Sequence, residues 1–225
     1  MPIETVIFDL DGTLANFNLD YKTLRSEVRS YLIRKGVPTS LVDVNESIFE
    51  MLKKAEVFLK NSKSVEKFTD VRIQALAIAE KYEMEAASTT NLQVGANETL
   101  KELKRMNLKI GLCTTSSDKA VNYILKRFKI QDFFQVVVTR DKVKYVKPST
   151  EQFELALNTL KVTPKDTVIV GDNIVDMQSA KELKAVAVGF PAGVSTLEQL
   201  KNNGANYIIT SLTDLPVLIK EINKD

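Results

Sequence analysis

A chain of 225 residues, 44% of them hydrophobic and 27% charged, can bury a sizeable core, and its net charge of +2 gives no field suited to nucleic acid. Histidine is absent, which excludes Ser-His-Asp triads, His-ligated zinc and imidazole bases and leaves proton transfer to carboxylates and lysines. The single cysteine, Cys113, excludes an intramolecular disulfide, and with no leader-like N-terminus or long apolar run the expectation is a cytoplasmic protein with no membrane partner.

The first predicted element is an apolar strand, Thr5-Val6-Ile7-Phe8, which runs into Asp9-Leu10-Asp11-Gly12-Thr13. Continued as a strand, positions 9 and 11 leave the same face, roughly 6 to 7 Å apart. One carboxylate can then attack phosphorus while its neighbour handles the leaving-group proton. Gly12 frees the backbone to turn and bring amides toward an anion. A calcium loop of the EF-hand type does not fit, because its glycine follows the first aspartate by five positions rather than three.

Residues 16–90 show three helical patterns and no convincing strand. Tyr21, Leu24, Val28 and Leu32 form one apolar stripe, ended by Gly36 and Pro38; Ile48, Leu52, Ala55 and Leu59 form a second; Val65, Phe68, Ala75, Ala79 and Tyr82 form a third. This is expected to be an all-helical cap domain inserted after the first strand, over the carboxyl ends of the strands.

From about residue 91 apolar runs alternate with helical patterns: 108–113, 135–139, 167–170, 185–188 and 207–209 read as buried strands. Ser149-Thr150-Glu151-Gln152 and Ser195-Thr196-Leu197-Glu198 read as capping boxes opening helices. The expected fold is α/β, a Rossmann-like parallel sheet core formed by residues 1–15 and 91–225 with the helical insert at 16–90.

Three further features fall at strand ends. The run 108–113 delivers Thr114-Thr115-Ser116, hydroxyls and amides suited to a phosphate. Lys147-Pro148 follows the third strand, with Pro148 biasing Lys147 toward an extended conformation. Val168-Ile169-Val170-Gly171-Asp172-Asn173 ends a strand at a glycine, and Asp176 stands about a helical turn later. In this order, Asp9-Leu-Asp11-Gly12-Thr13-Leu, Thr114, Lys147-Pro148 and Gly171-Asp172 with Asp176 resemble the four motifs of the haloacid dehalogenase superfamily. The helical insert is similar to that of its phosphoglycolate-phosphatase-like branch.

The resemblance implies a Mg²⁺-dependent phosphatase that hydrolyses a small-metabolite phosphomonoester, of phosphoglycolate or sugar phosphate type, through an aspartyl-phosphate. It makes Asp9 the nucleophile and Asp11 the acid and then the base. Thr114 and Lys147 would hold the phosphoryl group, with Thr115 and the Gly12 turn beside it. Mg²⁺ would lie on Asp9, the Asp11 carbonyl and Asp172, with Asp176 and Asn173 in support. Asp11 argues against a dehalogenase or a phosphonate hydrolase. The absence of histidine argues against a β-phosphoglucomutase-like mutase, and the intact set of carboxylates against a non-catalytic binding protein. Asn16, Phe17, Tyr21, Lys22, Arg25 and Arg72 are the expected specificity residues. Lys22, Arg25 and Arg29 read either as a substrate-carboxylate site or as a solvated helix face. Monomer and homodimer both stay open.

Overall fold

A computed structural model describes residues 2–16, 18–62 and 67–224. They form two compact units, one spanning 1–17 and 90–225, the other 18–89. Phe17 and Val65 lie outside the described residues.

The first unit opens with β1 (Thr5–Phe8) and the short β2 (Ala15–Asn16). The second unit holds α1 (Tyr21–Arg34), α2 (Ile48–Asn61) and α3 (Phe68–Thr89). The chain returns through β3 (Asn91–Leu92), α4 (Ala96–Arg105), β4 (Lys109–Cys113), α5 (Asp118–Arg127) and β5 (Val136–Val138). It then runs through α6 (Glu151–Leu160), β6 (Thr167–Gly171), α7 (Ile174–Leu183), β7 (Val186–Gly189), α8 (Leu197–Asn202), β8 (Tyr207–Ile208) and α9 (Leu215–Ile222). No helix among the described residues is long and apolar enough to cross a membrane.

The fold is α/β. Six parallel strands run in the order β5-β4-β1-β6-β7-β8, so β1 is central and the chain crosses it between β5 and β6. Such a reversal opens a crevice at the carboxyl ends of the strands, where open α/β sheets bind ligands. Val6, Ile7 and Phe8 are fully buried because a central parallel strand has both faces covered. Ile7, Cys113, Val138 and Ile169 pack on one face with Phe153, Leu157, Met177, Ala180 and Leu200, from α6, α7 and α8.

Two sequence expectations need correction here. β1 spans Thr5–Phe8 as expected, but the strand spacing does not carry on to the aspartates; Asp9 extends the ladder by one bond, its N–H donating to Val170 O at 2.9 Å, and Asp11 makes an isolated bridge with Ala15 across the turn at 12–14. The box expected at 149–152 does not form, since the cap residue Thr150 makes no side-chain capping bond. The second box forms one residue along, between Thr196 and Gln199. A feature too short for periodicity to register is the antiparallel pairing of β2 with β3, which joins the two connections leading into and out of the helical unit.

Within the helical unit, Leu24, Val28, Leu32, Met51, Leu52, Ala55, Leu59, Val71, Ala75 and Ala79 make one apolar core. Three amphipathic stripes bury one another there, each large side chain contributing about 1.5–3 kcal/mol. A capping box of Ser47 and Glu50 starts α2. Arg29 donates from Nε to Val42 O at 2.7 Å and from Nη2 to Thr39 O at 3.3 Å, which assigns it to a turn of its own unit rather than to a substrate. Lys22 and Tyr21 are exposed, and the Arg25 guanidinium lies 5.6 Å from the centroid of the Tyr21 ring.

Candidate active site

The carboxyl ends of β1, β4 and β6 bring together residues far apart in the chain. Lys147 Nζ donates to Asp9 Oδ1 at 2.5 Å, to Asp176 Oδ1 at 2.6 Å and to the Cys113 carbonyl at 3.0 Å. All three donor sites of the ammonium are used, and the lysine, Asp9 and Asp176 are buried. The Lys147-Pro148 peptide bond is cis. Burial alone would push the Lys147 pKa down, but Asp176 and Asp9 outweigh it and hold it above its ordinary value. The two carboxylates therefore favour the charged ammonium. Asp9 is pushed up to about 8, chiefly by burial, against Lys147 and with help from the charges of Asp176 and Asp172.

Asp172 follows β6 and is held from several sides. Thr13 Oγ1 donates to its Oδ1 at 3.1 Å and Val194 N–H to its Oδ2 at 2.8 Å. Two glycines give it room: a Cβ at Gly12 or at Gly193 would stand 2.5 Å or 1.9 Å from Asp172 Oδ2. Gly12 also has φ +89°, a left-handed conformation that disfavours any side chain. Burial, then repulsion from Asp176, raises Asp172 to about 6.

Carboxylate oxygens of Asp9, Asp172 and Asp176 lie within 4.8 Å of one another. One lysine does not offset three buried carboxylates, and their mutual repulsion adds to the burial that raises Asp9 and Asp172. A set made only of carboxylate oxygens, carrying uncompensated negative charge, fits a hard divalent cation such as Mg²⁺. Asp176 differs from its companions: beyond its bond to Lys147, its Oδ2 accepts from the Asn173 N–H at 3.2 Å. Asn173 Oδ1 caps α7 by accepting from Val175 N–H, so this residue supports the site through the helix that carries Asp176.

Asp11 turns toward β4. Its Oδ2 accepts from Thr114 Oγ1 at 3.0 Å and from Ser116 Oγ at 2.6 Å. The Thr115 carbonyl accepts from Arg140 Nη1 at 3.3 Å. Ser116 is a site residue that the sequence reading left among the loop hydroxyls, and its spacing of two from Thr114 was the available signal. Gln152, buried beneath the same strand ends, was read as part of a helix cap.

A parallel sheet with aspartates and a lysine gathered at its strand ends is the plan of haloacid dehalogenase-like hydrolases, and this chain belongs to that family, whose model matches residues 6–190. It is thus an enzyme of the hydrolase class. Among full-length relatives, Pyrophosphatase PpaX of Bacillus mycoides (strain KBAB4) is 32% identical, with 99% of this chain and 100% of the relative covered. Pyrophosphatase PpaX of Bacillus anthracis (strain A0248) is 30% identical, with both chains covered in full. Solved structures share the fold. A hydrolase from Pseudomonas syringae matches with a TM-score of 0.71 at 23% identity, covering 97% of this chain and 98% of that one. A predicted phosphoglycolate phosphatase from Haemophilus somnus 129pt matches with a TM-score of 0.67 at 20% identity, covering 96% and 97%.

Proposed function

We propose that the protein is a Mg²⁺-dependent phosphohydrolase that releases phosphate from a small phosphorylated compound through an aspartyl-phosphate on Asp9. The observation that carries this reading is the buried Lys147 ammonium held between Asp9 and Asp176, with Asp172 beside them. Such an arrangement presents a fixed cation and an oriented carboxylate to a phosphate, while a second carboxylate, Asp11, stands two residues along.

In this reading the Asp9 carboxylate attacks phosphorus and the departing oxygen takes a proton from Asp11. A water then gives its proton to Asp11 and attacks the same phosphorus, releasing phosphate and restoring Asp9. Thr114 and Ser116 fix the rotamer of Asp11 through Oδ2, so its proton moves along one direction. Lys147 holds Asp9 and acts on the phosphoryl group through its charge, its three N–H groups being taken by Asp9, Asp176 and the Cys113 carbonyl, while the Thr115 amide and the Gly12 turn form the cradle. Asp9, Asp172 and the Asp11 carbonyl would hold Mg²⁺, which supplies charge neutralisation for the phosphoryl oxygens. The helical unit, taken as a cap domain of residues 16–90, would set the choice of leaving group through Tyr21, Lys22, Arg25 and Arg72.

Inorganic pyrophosphate comes first among substrates, because the full-length relatives at 30–32% identity are named pyrophosphatases. Phosphoglycolate and sugar phosphates follow. The test is phosphate release from pyrophosphate, phosphoglycolate and a sugar phosphate panel, with Mg²⁺ or EDTA, by wild type and Asp9→Asn. Release that needs Mg²⁺ and falls by about a thousandfold or more in Asp9→Asn supports the reading. Equal release by the two proteins refutes the nucleophile.

A further inference from the structure

The first two residues of α6 turn their side chains back onto the loop that carries Lys147. Both oxygens of Glu151 accept backbone N–H groups of that loop, Oε1 from Lys144 at 2.9 Å and Oε2 from Tyr145 at 2.8 Å. Gln152 reaches deeper and is fully buried. Its Oε1 accepts from the Lys147 N–H at 3.1 Å, while Nε2 donates to the Thr114 carbonyl at 2.7 Å and, more weakly, to the Val138 carbonyl at 3.4 Å. One amide thus joins the main chain of Lys147 to the ends of β4 and β5.

We infer that Gln152 is a positioning residue that sets the separation between Lys147, which holds Asp9, and Thr114, which holds Asp11. The inference rests on the phosphohydrolase reading. Several observations lead to it. A buried amide is costly unless both ends are paired, and here both are, on the residues that flank the site. The same bonds are consistent with the missing capping box: the helix is capped at Thr150 rather than Ser149, the Ser149 N–H is taken by the Val146 carbonyl, and the Gln152 side chain is committed to the interior. Nor is a substitute available with equal chemistry. Methionine has the reach without either hydrogen bond, and glutamate has the acceptor for Lys147 but, when ionised, no donor for Thr114. On the other side of the loop the Ser179 hydroxyl lies between two carbonyls, Val175 at 2.8 Å on its own helix and Pro148 at 3.1 Å, and its one proton is shared between them. Between these anchors, Lys147 Nζ can reach Asp9, Asp176 and the Cys113 carbonyl together.

The experiment compares wild type, Gln152→Met and Leu157→Ala in the full-length chain with Mg²⁺. Leu157 is a buried residue of the same helix that packs into the sheet core, so its truncation reports loss of stability alone. For each protein, kcat, KM, the affinity for inorganic phosphate by calorimetry, and Tm are measured. Gln152→Met is expected to lose about tenfold or more in kcat, with phosphate affinity weakened in parallel, since small misplacements of catalytic groups are costly. Leu157→Ala is expected to lower Tm while leaving both within about twofold. Unchanged kcat and phosphate affinity in folded Gln152→Met would overturn the inference and leave Gln152 as a packing residue. If that variant does not fold, Gln152→Glu, of the same shape, is held to the same criterion. Wild-type turnover in this assay reports on the phosphohydrolase reading itself. Phosphate affinity distinguishes the two, because the variant and wild type can be compared even where turnover is absent.

Discussion

The two units of this chain are held together by opposite means. In the helical unit the interior is a continuous apolar cluster from three amphipathic helices, and any one side chain there contributes by volume and area. At the carboxyl edge of the parallel sheet the interior is polar: Asp9, Lys147, Asp172 and Asp176 are all buried and stay there by pairing and hydrogen bonding. In the proposed reading the contrast marks where stability is exchanged for chemistry. Burying three carboxylates around one lysine opposes folding, as the raised Asp9 and Asp172 show, yet it gives a site that holds anionic and cationic groups at fixed distances.

The largest effect expected comes from breaking the polar interior. Lys147→Met leaves Asp9 and Asp176 buried without their cation and is expected to cost about 3–5 kcal/mol of stability, read from urea unfolding at pH 7. A loss below about 1 kcal/mol would mean that the lysine is not the main counter-charge. Leu32→Ala strikes the apolar interior of the helical unit instead, where Leu32 is fully buried. The expected loss is about 2–5 kcal/mol, and it should be the same from pH 4 to pH 8 because no titrating group is touched.

The finest comparison is Asp172→Asn in EDTA. The folded pKa of Asp172, about 6, lies above its ordinary 3.8, so folding favours the protonated form. Its charge therefore costs nothing below about pH 4, costs progressively more between pH 4 and 6, and costs a constant amount above that. The stability of Asp172→Asn relative to wild type should rise over that window to about 1–3 kcal/mol. Removing this charge also relieves Asp9, which extends a weaker rise toward pH 8. Calorimetric Tm values that differ by the same amount at pH 4 and pH 8 would contradict the raised Asp172.

Much of the α/β unit was legible because its strands are buried on both faces and so read as apolar runs: all five runs after residue 91 match strands to within one or two residues. The helical stripes were equally legible, since Leu24, Val28 and Leu32 or Leu52, Ala55 and Leu59 repeat at helical spacing. Arg29 was not, because its position on α1 gives no hint that Val42 and Thr39 would present carbonyls to it. Gln152 was misread for a related reason. Its spacing from Ser149 mimics a capping box, and only the fold reveals three better partners nearby.

By itself the sequence determined the helices and the sheet strands longer than a bridge, the order of the acidic and basic motifs along them, and the resemblance to the family. Those depend on local hydrogen bonding and on burial patterns that repeat every two or 3.6 residues. Tertiary structure alone decided which atoms meet. Lys147 and Asp9 are 138 positions apart in the chain. They touch because the chain crosses β1 between β5 and β6, setting β4 and β6 on either side of it, and no local preference encodes that choice. The same packing buried the three aspartates together, and the raised pKa values of Asp9 and Asp172 come chiefly from that burial rather than from any residue taken singly.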